Sequence, residues 1–207
     1  MYHELLFDAT FWAVLFKIDQ DLAETAQAEQ CPSCGCPLHR ANYPRKPRGP
    51  RGLPDEYRFR LSFCCSKDGC RKRVTPPSVR FLGRKVYLGA VVILVSAMRQ
   101  GPTPRRVREL TKLFHVDQRT IYRWRDFWND HFPQTKFWQV ARARLVPVFK
   151  IVDFPRSLLE AFVHACDDRH GWEKLLRFLS PITTTKGLEI KVSGDRGKPA
   201  EDANGPR

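Results

Sequence analysis

The feature that most constrains this chain is where its cysteines fall: six of the seven lie between Cys31 and Cys70, and the seventh, Cys166, stands alone. No leader-like segment precedes them, so a cytoplasmic protein is expected, and in a reducing compartment clustered thiols are metal ligands more often than disulfides. Cys31-Pro-Ser-Cys34-Gly35 is a Cys-x2-Cys turn in which the glycine lets the backbone fold back so that two thiolates converge on one ion. The second half of such a site must come from Cys64, Cys65 and Cys70. Strand alternation puts Cys65 on the inward side with Phe63, and Cys70 follows a turn at Gly69. The expected site is a structural Zn2+ held by Cys31, Cys34, Cys65 and Cys70, with no open position for a substrate water. Cys64 is the alternative to Cys65, while Cys36 and His39 are weaker substitutes without the two-residue spacing. Cys166 reads as a core residue.

The net charge of +14 is unevenly distributed. Residues 1–30 carry −5, residues 31–79 carry +8, residues 80–150 carry +11, residues 151–180 carry −1 and residues 181–207 carry +1. One central basic block is the pattern of a surface that neutralises phosphates. The 42% hydrophobic content is enough for a core, which excludes global disorder, and the apolar runs Phe11–Phe16 and Val86–Ala97 are too short to span a bilayer.

Apolar periodicity from Leu5 to Leu22 predicts an amphipathic helix over residues 2–28. From Tyr43, prolines and glycines forbid a regular element, and a basic loop carries Arg45, Lys46, Arg48 and Arg51. Tyr57, Phe59, Leu61 and Phe63 then alternate with Arg58, Arg60 and Ser62, predicting a strand with an apolar inner face and a cationic outer one. The length of the apolar run Val86–Met98 favours a buried helix, with a strand as the alternative that Val91, Val92, Ile93 and Val95 keep open, and further helical patterns cover Lys136–Leu145, Ser157–Ala165 and Gly171–Leu179. The chain turns polar and unpatterned from residue 183.

Between these lies a helix, a short turn and a second helix. Thr103 and Pro104 open the first helix, with Val107, Leu110 and Phe114 on one face; it stops at His115, a surface residue of the turn. Asp117 caps the second, with Ile121, Trp124 and Trp128 as core anchors. Gln118, Arg119, Tyr122 and Arg123 then fall on the outer face, the position from which Gln and Arg reach A and G edges in a major groove. Arg105, Arg106 and Arg125 are placed to meet phosphates.

The knuckle Cys31-Pro-x-Cys34-Gly, the later thiolate pair, the run Arg71-Lys-Arg-Val-Thr-Pro-Pro-Ser-Val-Arg-Phe and the helix Thr120-Ile-Tyr-Arg-Trp resemble the zinc-ribbon and homeodomain-like helix-turn-helix modules of bacterial insertion-sequence transposases. The resemblance covers about residues 31–130. It implies binding to element ends or promoter DNA, beside a separate integrase-like transposase. The second knuckle departs from the family as Cys-x4-Cys instead of Cys-x2-Cys, and no integrase-like segment follows.

The expected architecture is mainly α with a small β zinc ribbon (α+β). An N-terminal helix (1–30) leads to a zinc ribbon with its basic loop (31–80), a helix-turn-helix domain (81–135), a helical extension (136–182) and a disordered tail (183–207). The expected function is sequence-specific recognition of double-stranded DNA by a nucleoid-associated accessory or regulatory protein of a mobile element, with no membrane partner, no catalysis of its own and a homodimer as the assembly to look for. Two other readings stay open. One is a transposase or nuclease using Asp153, Asp167 and Asp168 to hold metal ions, although Asp167-Asp168 beside Arg169 and His170 reads better as a polar turn. The other is RNA binding through the ribbon and basic loop.

Overall fold

Asp8 sets the start of the first long helix: its carboxylate accepts a hydrogen bond from the Thr10 N–H at 2.8 Å and caps α1 (Ala9–Ala28). The computed structural model describes residues 4–45, 54–81, 103–145, 153–163 and 168–184. The expected helix over residues 2–28 is therefore shorter at its start. Asp8 is extended, and Glu4–Phe7 forms a separate 3-10 turn whose Leu6 carbonyl accepts from Trp12 Nε1 at 2.9 Å. Along α1, Phe11, Trp12, Leu15 and Ile18 enter the main core, whereas Ala23 enters a second core with Cys31, Leu38, Phe63 and Cys65.

Five short strands follow: β1 (Leu38–Arg40), β2 (Tyr43–Pro44), β3 (Phe59–Arg60), β4 (Phe63–Cys65) and β5 (Arg73–Val74). One antiparallel sheet has the order β1-β4-β5, with Leu38 opposite Cys65 and Phe63 opposite Val74; β2 and β3 form a separate ribbon with Tyr43 opposite Arg60. Two expectations are corrected here. Tyr43 and Pro44 belong to a strand, because Pro44 starts no ladder conflict in a two-stranded ribbon where proline's missing N–H can face outward.

The alternation over residues 57–63 also fails. Asp55–Arg58 is a 3-10 turn, which shifts the phase, so that Phe59 is 41% exposed while Arg60 is 3% exposed. Arg60 Nη2 donates to the Pro76 carbonyl at 2.6 Å, and buried Ser62 donates to the Ala41 carbonyl at 2.7 Å. Of the polar residues expected on the outer face, Arg58 stays exposed while Arg60 and Ser62 turn inward, where backbone acceptors wait for them.

Helix α2 (Pro104–Phe114) buries Val107, Leu110 and Phe114. His115 takes a left-handed φ of 51° and ends it, and Asp117 caps α3 (Gln118–Asp126) by accepting from the Arg119 N–H at 2.8 Å. Ile121, Trp124 and Trp128 are buried, as the spacing requires. The helical path continues through a π turn (Phe127–His131) and a 3-10 turn (Phe132–Gln134) into α4 (Lys136–Ala141). That helix tightens to a 3-10 turn at Arg142–Arg144 instead of running to Leu145. Trp128, Phe132, Trp138 and Phe154 stack at 4.8 to 5.4 Å between ring centroids, the edge and tilted spacing that aromatic quadrupoles prefer.

Helices α5 (Arg156–Val163) and α6 (Asp168–Leu179) pack closely, and α6 begins before the expected Gly171. A 3-10 turn at Ser180–Thr183 follows. Thr183, assigned to the tail, is buried, and its hydroxyl accepts from the Ser78 N–H at 2.9 Å. The expected helix over Val86–Met98, Cys166, Asp167 and the chain beyond residue 184 lie outside the described residues. No helix among the described residues is long and apolar enough to cross a membrane.

One polar network ties these parts together. Asp19, 1% exposed on the inner face of α1, accepts from Arg80 Nε at 2.8 Å, Ser78 Oγ at 2.6 Å and the Val79 N–H at 2.7 Å. Arg80 in turn donates to the carbonyls of Tyr57 at 2.8 Å and Phe59 at 2.9 Å.

Replacing Asp19 with Asn keeps the shape and removes the charge, which leaves Arg80 buried without its counter-ion. The expected cost is about 3–5 kcal/mol of folding stability in urea titrations; a loss below about 1 kcal/mol would show the pair to be dispensable. At Gly171 an added Cβ would sit 2.6 Å from Val163 Cα and 2.7 Å from the Phe162 carbonyl oxygen. Gly171→Ala is therefore expected to destabilise by about 1–3 kcal/mol, despite a helix-propensity gain of about 1 kcal/mol. A stabilised variant in the same titration would mean that α5 and α6 can part freely.

Candidate metal centre and basic surface

The first knuckle begins where α1 ends. Gln30 turns the chain with φ 62°, and Cys31 accepts from the Gly35 N–H at 2.8 Å and the Cys34 N–H at 3.3 Å through its carbonyl. Gly35 has φ 68°, the left-handed conformation that makes glycine the natural residue there. The second knuckle is a longer loop. Cys65 stands at the end of β4, the N–H groups of Cys70 and Arg71 both donate to the Lys67 carbonyl at 3.1 Å, and Gly69 takes φ 83°. The two knuckles are joined by the Ser66 N–H, which donates to the Pro37 carbonyl at 3.0 Å.

The result is a cluster of four thiols. Cys31, Cys34, Cys65 and Cys70 bring their sulfurs within 4.8 Å of one another, with Cys31 to Cys70 at 3.8 Å and Cys34 to Cys65 at 3.4 Å. A tetrahedral ion with metal–sulfur bonds of about 2.3 Å places its sulfurs about 3.8 Å apart, so the cluster has the size of such a site. The chosen quartet is the one that converges. Cys64 points the other way, donating towards the Arg71 carbonyl at 3.4 Å; Cys36 donates to the Cys34 carbonyl at 3.7 Å; His39 is exposed on β1. Alternation along β4 explains the choice, since Phe63 and Cys65 are buried and Cys64 between them is not.

The surroundings prepare the thiols unequally. The Ser33 N–H, with help from Cys34 and Cys65, lowers Cys31 to about 7, because hydrogen bonds to sulfur favour the thiolate. Burial pushes Cys65 up to about 12, against a 3.4 Å hydrogen bond from the Lys67 N–H. A buried thiol of this kind becomes a thiolate when a cation supplies the missing charge.

The sequence-predicted basic residues fall into separate groups. Gln118, Arg119, Tyr122 and Arg123 are all exposed on one side of α3, with the Gln118 amide donating to the Tyr122 hydroxyl at 3.4 Å. Arg125 is half-buried, and Arg105 is exposed and paired with Glu109 at 3.3 Å, so it already has a partner; Arg106 lies on the same helix α2. Arg45 is half-buried at the end of β2, its guanidinium 4.7 Å from the Tyr43 ring centroid. Lys46, Arg48 and Arg51 lie outside the described residues. Asp153 is exposed, and the single convergence of metal-ligating groups among the described residues is the cysteine quartet.

Residues that sequence reasoning passed over are Tyr43, Arg60, Arg73 and the Asp19–Arg80 pair. Asp19 did carry a signal, being an acid on the apolar stripe between Leu15 and Leu22. Arg80 stood in the run that resembles transposase ribbons, without a role.

About one metal ion per chain is expected by elemental analysis of natively purified protein. Cys65→Ser should abolish it and unfold the ribbon, read as loss of protease resistance, whereas Cys64→Ser should retain both. The reverse pattern would exchange the two cysteines, and a metal-free native protein would remove the centre altogether.

No protein-family model matches this chain, and neither does any curated protein or solved structure, so the centre and the basic surface have to be read from their own chemistry.

Proposed function

We propose that this protein is a zinc-stapled, sequence-specific binder of double-stranded DNA that serves a bacterial transposable element as an accessory or regulatory protein. The observation that carries this reading is helix α3: it buries Ile121 and Trp124 against the core and exposes Gln118, Arg119, Tyr122 and Arg123 together. It follows α2 after the three residues 115–117, the spacing of a helix-turn-helix. Bidentate amide and guanidinium groups near a helix N-terminus suit base edges, and Arg105, Arg106 and Arg125 suit the flanking phosphates. Zn2+ is the ion this reading assigns to the four thiolates, since an all-sulfur tetrahedral set is the donor chemistry of structural zinc. Four protein ligands leave no position for a reacting water, which favours a structural centre over a catalytic one. The mobile-element setting rests on the motif resemblance of residues 31–130, and an integrase-like transposase is the partner it implies.

The test is selection of a preferred site from random duplexes, followed by binding titrations. Arg119→Ala and Arg123→Ala are each expected to cost about 1–3 kcal/mol on the selected duplex and to relax its sequence preference. Selection that enriches no sequence, or variants that keep the parent's preference, would refute base reading by α3.

A further inference from the structure

Around Tyr43 the ribbon gathers more positive charge than it neutralises. Tyr43 and Arg60 are cross-strand neighbours on β2 and β3, so their side chains leave the ribbon on the same face. Arg45 lies against the Tyr43 ring and donates to its hydroxyl at 3.2 Å. Arg73, from β5, approaches the same ring at 5.3 Å and is braced by the Ala41 carbonyl at 2.7 Å and Ser62 Oγ at 2.6 Å. Behind them Arg60 and Arg80 are both buried. The carboxylate that acts on both is Asp19, and its oxygens are already taken by Arg80, Ser78 and the Val79 N–H.

The consequences are electrostatic and geometric. Burial depresses Arg60 below its ordinary value, Asp19 and Tyr43 oppose that shift, and Arg80 and Arg45 add to it, so Arg60 sits among other cations. A guanidinium keeps its proton, so Arg45 and Arg73 present fixed positive charge to an approaching anion. The Tyr43 hydroxyl accepts from Arg45, and its own proton remains available to an outside acceptor. Arg73 is exposed yet held by two acceptors, so little further side-chain entropy is lost when it binds.

The geometry points to a phosphate clamp on the ribbon, formed by Arg45, Arg73 and the Tyr43 hydroxyl and backed by buried Arg60, that grips the backbone of the duplex whose bases α3 reads. It rests on the DNA-binding reading above and adds to it a second, sequence-independent contact surface outside the helix-turn-helix. Backbone phosphodiesters fit because forked guanidiniums and a hydroxyl donor match their paired oxygens.

The test uses the full metal-loaded chain, with fluorescence anisotropy on the selected duplex and on a scrambled one over a series of salt concentrations. Arg45→Gln and Arg73→Gln are each expected to flatten the log-log salt dependence by about 0.9, equally on both duplexes. Tyr43→Phe should weaken binding at every salt concentration without changing the slope, since it removes a neutral donor. Thermal melting and metal content show whether each variant folds. If Arg73→Gln does not, Arg73→Lys keeps the charge and is expected to keep the parent slope, while Arg45→Gln still carries the test. Unchanged slopes in the Gln variants, in a protein whose Arg119→Ala variant does lose affinity for the selected duplex, would overturn the clamp and leave base reading intact. A parent that binds neither duplex would overturn both, and a slope change seen with an RNA hairpin but not with duplex DNA would overturn the DNA clamp in favour of RNA.

Discussion

The interaction on which the rest of the structure depends is the buried pair of Asp19 and Arg80. Neither group can be buried alone, because an unpaired charge away from water costs several kcal/mol. Here each oxygen of Asp19 has a donor, and Arg80 uses its three nitrogens on Asp19, Tyr57 and Phe59. The pair is therefore worth less as net stability than as a fixed point. It holds α1, the 3-10 turn before β3 and the segment after β5 in one arrangement, and Ser78 extends that arrangement to Thr183 at the far end of the helical body.

Helix α1 works from the same point in two directions. Its earlier turns contribute Phe11, Trp12, Leu15 and Ile18 to the core that also contains Val107, Ile121 and Trp172, while Ala23 faces the cluster of Cys31, Leu38, Phe63 and Cys65. Gln27 Nε2 adds a hydrogen bond to the Leu38 carbonyl at 3.0 Å. The ribbon core is small, and it is flanked by α1 on one side and by the four converging thiols, a set that could hold a metal ion, on the other. The helical body is packed instead around the large aromatic cluster of Trp128, Phe132, Trp138 and Phe154.

What was legible in the sequence was local. The knuckle at Cys31, the choice of Cys65 over Cys64, the stop at His115 and the Asp117 cap all follow from spacings of a few residues, where strand alternation and capping chemistry act directly. The inversion of Phe59 and Arg60 was not legible, because it depends on a 3-10 turn that shifts the phase and on the Pro76 carbonyl sixteen residues away. The Asp19–Arg80 pair spans sixty-one residues and Ser78 to Thr183 spans one hundred and five, separations over which no periodicity carries information. Pro and Gly dominate the segment from Tyr43 and predict a loop, yet two of its residues find a partner strand that a pattern of single-residue preferences could not supply.

These long-range contacts also decide what kind of surface the protein can present. On α3 the four exposed polar side chains stand on a helix whose opposite face is packed, so their spacing is set by the helix and can match a particular order of bases. Around Tyr43 the cations are arranged by backbone carbonyls and by the Tyr43 ring, and neither constraint refers to a sequence. A surface of the first kind discriminates, because a wrong base leaves a polar group unpaired. A surface of the second kind attracts every duplex alike and weakens with salt. Tyr57, Val79 and Phe81 of the ribbon side share one core with Val107, Ile121 and Trp124 of the two-helix unit, so the two proposed contact surfaces belong to one packed unit. On the proposed reading, binding energy gained at the ribbon would be available to hold α3 in register on a site.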